Sequence, residues 1–454
     1  MALLGYSLLA TRWTRRIGMK VKLAYGKEGL DVEFPDEGVS IIEPRYIPGL
    51  PDEQAALREA LKSPIGSPAL AALVKPHHTV AITFPDVTRP CPTARMLPSI
   101  LEAISAVPRE QVVLINGTGM HRANTEEELR RMVGSEVYDN YRVINHNAFD
   151  KSTLAYAGKT SRGTDLWFNA EYLKADVKIL VGFIEPHMFA GFSGGAKAVL
   201  PAVAGEQTVL SNHDAQMIGD PKSIWGITKG NPIFEEMREA VLMTNPTFLC
   251  NVTLNRDKEI TGVYFGGLLA AHNAGIDFAR RTAMRPVPEP FDIVVTTNSG
   301  YPLDQNLYQA IKGASAANLI VRDGGAIISA AECSDGIPEH GNYKKILHSR
   351  PSLDAIMKMI YEPGFLLFDQ WEVQIQANIQ RRAEFFVCST LDDREVEMAH
   401  VKPTHDIGAT VRELLKRYGP GATIAVLPQG PFTIPYVEDE AGKAFEAMAT
   451  QGVK

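Results

Sequence analysis

The stretch GFIEPHMFAGFSGGAKAVLPAVAG, Gly182 to Gly205, sets His187, Ser193, the Gly194-Gly195 pair and Lys197 between two apolar runs, and His213 follows 16 residues after the lysine. These residue types can move protons, bind anions, form a covalent bond or hold a metal. A lysine on a Gly-rich turn after a buried strand is a Schiff-base nucleophile when desolvation lowers its pKa, or a covalent tether for a cofactor. His213 is close enough to fold back and ligate a metal through a neutral imidazole.

Two other loops carry residues of the same kind. DVTRPCP places Asp86, Thr88 and Arg89 between prolines. Pro-Asp is ordinary turn chemistry, whereas the rigid donor fork of Arg89 suits a phosphate or carboxylate. GTGMHRANTEEE sets His121 between a strand end and a helix start. There Gly117-Thr118-Gly119 lets backbone approach a ligand, and the helix start favours an anion. A lone histidine or charged turn is ordinarily structural or solvated; three strand-end loops carrying His, Arg or Lys predict one shared active site.

Spacing removes several familiar motifs. A Walker A loop needs G-x-x-x-x-G-K-[ST], but GFSGGAKA has Ala196 between Gly195 and Lys197, and Ala198 where the metal-ligating hydroxyl belongs. The same stretch lacks the dinucleotide spacing G-x-G-x-x-G, and the chain contains no H-E-x-x-H. His121, His187 and His213 are spread along the chain and are expected to do different jobs.

The elements that must position these loops are short strands alternating with helices. HTVAITF (78–84), EQVVLING (110–117), ADVKILVGF (175–183), FDIVVTTN (291–298) and GGAIISAAE (324–332) are β-branched runs separated by helical patterns. This alternation predicts βαβ units, a mainly parallel sheet and an α/β fold class, with ligands outside the carboxyl ends of the strands. ANTEEELRRMVG predicts a helix capped by Asn124 or Thr125 and stopped by Gly134; NPIFEEMREAVLM predicts another with Pro232 in its first turn. In YQAIK, helical spacing puts Tyr308, Gln309 and Lys312 on one face.

At 454 residues the chain is long enough for two cores. The Pro-rich RPVPEP (285–290) marks the expected boundary. We therefore expect two α/β domains with an interdomain active-site cleft: residues 1–284, carrying the lysine and histidines, and residues 285–454, whose tail can pack back on the first. A hydrophobic content of 45% with 22% charged residues describes a soluble globular protein. A net charge of -7, with no dense basic block after Arg16, argues against nucleic acid as partner.

Four cysteines scattered without a C-x-x-C pair fit a reducing compartment. The N-terminal MALLGYSLLATRWTRR has its apolar run before its arginines, the reverse of a secretory signal, and no run of about 18 apolar residues predicts a membrane span. The expected location is the cytoplasm. Residues 1–18 read as an extension or an upstream start, because Met19 opens the strand-like MKVKLAYG.

Jointly, DVTRPCP, GTGMHR, EPHMFAGFSGGAK with the following His213, and YPLDQNLYQAIKG resemble the lactate racemase family, the nickel-pincer-nucleotide enzymes. The matching segments run from about Asp86 to Trp371. The resemblance implies a modified nicotinic acid mononucleotide carrying nickel, tethered by a thioamide at Lys197, with His213 as the metal's protein ligand. It implies that His121 and His187 are the acid/base pair on opposite sides of the substrate. Arg89, Tyr308, Gln309 and Lys312 are then substrate-binding, and Trp371 in FDQWEVQ is an aromatic of the pocket. Asp86 and Thr88 fall beside the cofactor phosphate or orient Arg89, and the Ser193-Gly194-Gly195 turn falls on the cofactor side.

The implied reaction is racemisation or epimerisation of a 2-hydroxy acid: lactate, or a related acid such as malate or a sugar acid. The α-hydrogen of such an acid is poorly acidic beside a carboxylate, so removing it as hydride avoids a carbanion. Cofactor-maturation proteins are implied as transient partners. Ala196, Ala198 and Pro201-Ala202 depart from the family's polar or basic neighbour and Pro-Gly. A Schiff-base, pyridoxal-phosphate-type lyase using Lys197 and a non-catalytic nucleotide- or cofactor-binding protein are the alternative readings.

Overall fold

The computed structural model describes residues 17–339 and 341–438, so the extension expected at 1–18 lies outside them except for its last two residues. Two six-stranded sheets organise the chain. The first runs, in spatial order, Ile260–Gly266, Phe248–Leu254, Val177–Phe183, Val80–Pro85, Val112–Gly117, Arg142–Asn145, and is parallel except for the outermost Ile260–Gly266. The second runs Lys402–Thr404, Ala383–Cys388, Val321–Ala330, Phe291–Thr297, Ile424–Leu427, Val39–Ile41, and is parallel throughout. The α/β class is as the alternating pattern predicts.

Sheets covered on both faces need strands that are apolar on both faces. Every residue of Val177–Phe183 is buried, and only the last residue of Val80–Pro85 is not. The helices between them are stopped by the expected chemistry. Thr125 caps Glu126–Val133 in a reciprocal capping box with Glu128, and Gly134 ends it at φ 89°. Asn231 caps Pro232–Leu242, and Asn306 caps Leu307–Ala317.

The amino-terminal segment departs from the expected division at residue 284. Val39–Ile41 forms the edge of the second sheet beside Ile424–Leu427, and the hairpin Ile17–Leu23/Leu30–Pro35 packs Val21, Leu23, Val32 and Phe34 against Ile293, Val295 and Ile328. The described chain thus starts on the second lobe and crosses to the first after residue 42. Nothing local in an amphipathic hairpin says which sheet it will cover. The other crossing lies at Met284–Val287, which pairs in parallel with Ile434–Val437 near the end of the described chain, while Ile434 enters the core of the first lobe.

Strand order then places the chemistry. From the central Val80–Pro85 the chain adds Val112–Gly117 on one side and Val177–Phe183 on the other. This reversal opens a crevice at the carboxyl ends of adjacent strands, where doubly wound sheets bind ligands. Three loops widely separated in sequence meet there.

Candidate active site

A cleft enclosing about 1490 Å³ up to and including its open mouth lies between the lobes. Asp86, Arg89, His121, His187, Ser193, Gly194, Lys197 and His213 line it from the first lobe, and Tyr308, Gln309, Lys312 and Trp371 line it from the second. Of the residues singled out from sequence, Thr88 and Gly195 are not among the lining. Thr88 lies behind Asp86 and donates its hydroxyl to Oδ1 at 2.8 Å, while the Gly195 amide points away into the lobe.

His121 Nδ1 lies 2.8 Å from Asp86 Oδ2. The buried carboxylate is pushed up by desolvation, but His121, Arg89 and Thr88 outweigh this and hold it below the usual carboxylate range. Because Nδ1 donates to Asp86, Nε2 is the nitrogen left for a ligand. His187 has no carboxylate partner of this kind; its Nδ1 accepts a long 3.3 Å contact from the Ala190 amide. Burial, then the charges of Lys197, Arg89 and Lys312, push its pKa well below the ordinary imidazole value. It is a neutral imidazole facing cations.

Lys197 is presented by a short turn, Gly195–Ala198, entered through Gly194 and Gly195 at φ 79° and 55°. Glycine is required there twice over: the left-handed backbone disfavours a side chain, and a Cβ on Gly195 would sit 2.1 Å from His272 Nδ1. The Gly195 amide donates to Asn251 Oδ1 at 2.7 Å, and His272 Nε2 lies 3.0 Å from the Ser193 carbonyl. Arg238, always a donor, lies 3.3 Å from His272 Nδ1, so Nε2 carries the hydrogen given to Ser193. Ala196 is buried in the first lobe's apolar core and Ala198 packs against it, which accounts for small residues beside the lysine.

Burial and the charges of Arg89 and Lys312 bring the Lys197 amine down to about 7, against a pull from Glu185. Glu185 faces the same cations, yet burial carries its carboxyl up to about 7. The Lys197 ammonium lies 5.6 Å from the centre of the Phe189 ring, and Phe189 packs edge-on against both His187 and His213.

His213 sits at the C-cap of Glu206–Asn212, buried, its Nδ1 without a hydrogen-bond partner among the described residues. Burial lowers its pKa to about 3, so it is neutral and able to ligate. Its ring lies 5.2 Å from that of Trp371, whose indole N–H donates to Tyr308 Oη at 3.0 Å.

The comparisons with known proteins now bear on this cleft. The family model described as the lactate racemase N-terminal domain matches residues 25–226, and that of the lactate racemase C-terminal domain matches residues 287–434. The chain belongs to the lactate racemase family. It is 33% identical over 416 residues to a lactate racemase of Lactiplantibacillus plantarum, covering 90% of this chain and 98% of that one. A lactate racemase of Thermoanaerobacterium thermosaccharolyticum is equally similar, 33% over 417 residues, covering 90% of this chain and 97% of that protein.

The solved apoprotein of the Thermoanaerobacterium lactate racemase superposes with a TM-score of 0.87 at 31% identity, covering 92% of this chain and all of that one. A Thermotoga maritima protein shares the fold alone, with a TM-score of 0.65 at 17% identity. The chain is accordingly a member of an isomerase family.

Within that family frame, sequence reasoning missed the residues beneath the cleft. Asn251 and His272 shape the turn bearing Lys197, and Glu372 lies buried beside Trp371 with neither carboxylate oxygen bonded among the described residues. A signal existed for Asn251, an amide in the middle of the apolar strand FLCNVTL. No comparable signal marks Glu372 in a helix of mixed polarity.

Proposed function

We propose that this protein racemises or epimerises a 2-hydroxy acid, lactate or a related 2-hydroxycarboxylate, using a nickel-pincer nucleotide attached covalently at Lys197. The observation that carries this reading is the meeting, on one cavity, of a buried amine lowered to about 7, an unpartnered neutral imidazole at His213, and two further imidazoles in contrasting environments. These residues fit the group. A lysine amine lowered to about 7 has an unprotonated form available to be acylated, and His213 offers a nitrogen without a hydrogen-bond partner to a metal. Among the described residues no group of three or more His, Cys, Asp or Glu could hold a metal ion, which suits a metal whose other ligands belong to a cofactor.

When bound, such a group supplies a reversible acceptor for the hydride at C2 of the substrate. The protein's own part is to orient and to move protons. Arg89 grips the carboxylate as a two-pronged donor and Lys312 as a point charge, with Tyr308 and Gln309 beside them. His121, hydrogen-bonded to the Asp86 carboxylate, is the acid of the resting pair. His187, kept neutral by burial and neighbouring cations, is the base. Their roles exchange for the other enantiomer, and base action at His187 Nε2 requires its long contact with Ala190 to give way.

Maturation proteins act as transient partners in this reading, with the cytoplasm as the compartment. Among the described residues no helix is long and apolar enough to cross a membrane.

The test is intact-protein mass spectrometry with metal analysis after co-expression with the cofactor-making proteins. A nickel-bearing adduct, absent from Lys197→Ala, and interconversion of enantiomers in a panel of chiral 2-hydroxy acids are expected. A borohydride-trapped imine without nickel would overturn this reading in favour of a Schiff-base lyase, which draws on the same lowered amine. An adduct without turnover on any acid would favour a cofactor-carrying protein.

A further inference from the structure

Glu372 occupies the helix Gln370–Arg382, fully buried, and neither of its carboxylate oxygens has a hydrogen-bond partner among the described residues. A buried carboxylate without compensation is costly, so its persistence needs a cause. The adjacent side chain, Trp371, bonds Tyr308 on the helix Leu307–Ala317, and one turn beyond, Gln376 accepts the Tyr343 hydroxyl at 2.6 Å. The Tyr308 and Tyr343 rings meet at 5.4 Å. Glu372 therefore lies on the face of its helix turned toward Tyr308, and Lys312 stands one turn further along that facing helix.

Glu372 and Lys312 share no hydrogen bond among the described residues, so each acts on the other through space. Lys312 donates one N–H to Gln309 Oε1 at 2.5 Å, which leaves two further donors. Burial and the charge of Arg89 push the ammonium's pKa down, and Glu372 is the strongest pull in the opposite sense, ahead of Glu185 and Asp86. Burial pushes the Glu372 carboxyl up, and Lys312 is the strongest charge opposing that shift.

We propose that Glu372 is a positioning residue, the buried carboxylate on the facing helix that acts through space to favour Lys312 as the cation that clamps the substrate carboxylate. This rests on the reading of Lys312 as substrate-binding. Without Glu372 the lysine would face Arg89 from the loop after Val80–Pro85, the cation that opposes its charge, since Lys197 carries no charge once tethered. Only Glu185 and Asp86 would then favour its charge, with Asp369 further along the helix and the neutral Tyr308 and Tyr343 beside it. Glu372 thus supplies the second lobe's share of the charge balance.

The experiment is the pH dependence of kcat and KM in the cofactor-loaded enzyme, for wild type, Glu372→Gln, Glu372→Asp and Lys312→Met. The sign is fixed by the charge removed. An ammonium deprived of its anion is lost at lower pH, so Glu372→Gln moves the alkaline limb of kcat/KM down by about one pH unit and raises KM about tenfold at alkaline pH. Its kcat at saturation falls far less than KM rises. Glu372→Asp recovers part of the limb, and Lys312→Met abolishes it.

A Glu372→Gln enzyme whose KM and limb overlay wild type overturns the inference. So does one whose kcat falls as much as KM rises with the limb unmoved, since that is a packing defect, or a limb that survives in Lys312→Met. Failure of wild type itself to racemise any 2-hydroxy acid sinks the underlying reading instead, which keeps the two outcomes apart.

Discussion

His121 and His187 sit at the ends of two strands that flank the same central strand, Val80–Pro85, yet their surroundings are opposite in charge. The loop after Val112–Gly117 gives His121 an anion at 2.8 Å and leaves a third of the side chain exposed, with 34% accessible. The loop after Val177–Phe183 puts His187 beside Lys197, Arg89 and Lys312, and among the described residues its ring nitrogen meets the Ala190 amide rather than a carboxylate. One ring is given a carboxylate as its hydrogen-bond partner, and the other is held neutral by burial among cations. An acid and a base of the same residue type are thus made unequal before substrate arrives, as general acid–base catalysis across two faces requires.

The hardest way to break this comparison is to remove either ring. His121→Ala and His187→Ala should each cost roughly 10² to 10⁴ in turnover, with the covalent adduct at Lys197 retained by mass. For two enantiomers the equilibrium constant is unity. Each variant must therefore lose the same factor of kcat/KM in both directions, however unequal the two rings are. Their inequality can appear only in kcat and KM separately, and the direction in which kcat suffers more should be opposite in the two variants. Two variants with the same directional bias, or either one racemising normally, would remove the acid/base assignment.

This inequality was not legible in the sequence, although both histidines were. The three strand-end loops could be found because parallel sheets place their carboxyl-terminal loops together, and the β-branched runs mark the strands. Lys197 stood out because Gly194 and Gly195 precede it. What surrounds each ring comes from residues distant in sequence: Asp86 beside His121, and for His187 burial first and then the charges of Lys197, Arg89 and Lys312. The same holds for Asn251 and His272 under the tether turn. The hairpin at Ile17–Leu23 and Leu30–Pro35 was misplaced for a related reason, since an amphipathic strand shows which face is buried but not which sheet buries it.

A milder break leaves both rings in place and equalises their surroundings. Asp86→Asn keeps the shape of the loop but takes the anion from His121. Hydrogen bonds to charged groups contribute roughly 1.5–3 kcal/mol, about 10- to 100-fold, and kcat should fall by that amount while the adduct at Lys197 is unaffected. The directional bias of kcat should also shrink, because neither ring then has a counter-charge. An Asp86→Asn enzyme with wild-type kcat would show that the carboxylate does not act through His121.

The smallest expected change sharpens the comparison at one further remove. Thr88 is expected beside the cofactor phosphate or orienting Arg89, and its hydroxyl donates to Asp86 Oδ1 at 2.8 Å, the oxygen that His121 does not use. Thr88→Val deletes this bond at nearly constant volume. A single hydrogen bond contributes about 0.5–1.5 kcal/mol, so kcat should fall only about two- to tenfold. Because the lost donor helps hold the Asp86 carboxylate ionised, that carboxylate should protonate at a higher pH, and the loss should deepen as the medium becomes more acidic. If Thr88 instead contacted the cofactor directly, Thr88→Val would reduce adduct or nickel content and leave this pH dependence unchanged, so metal analysis and the acidic limb together separate the two roles.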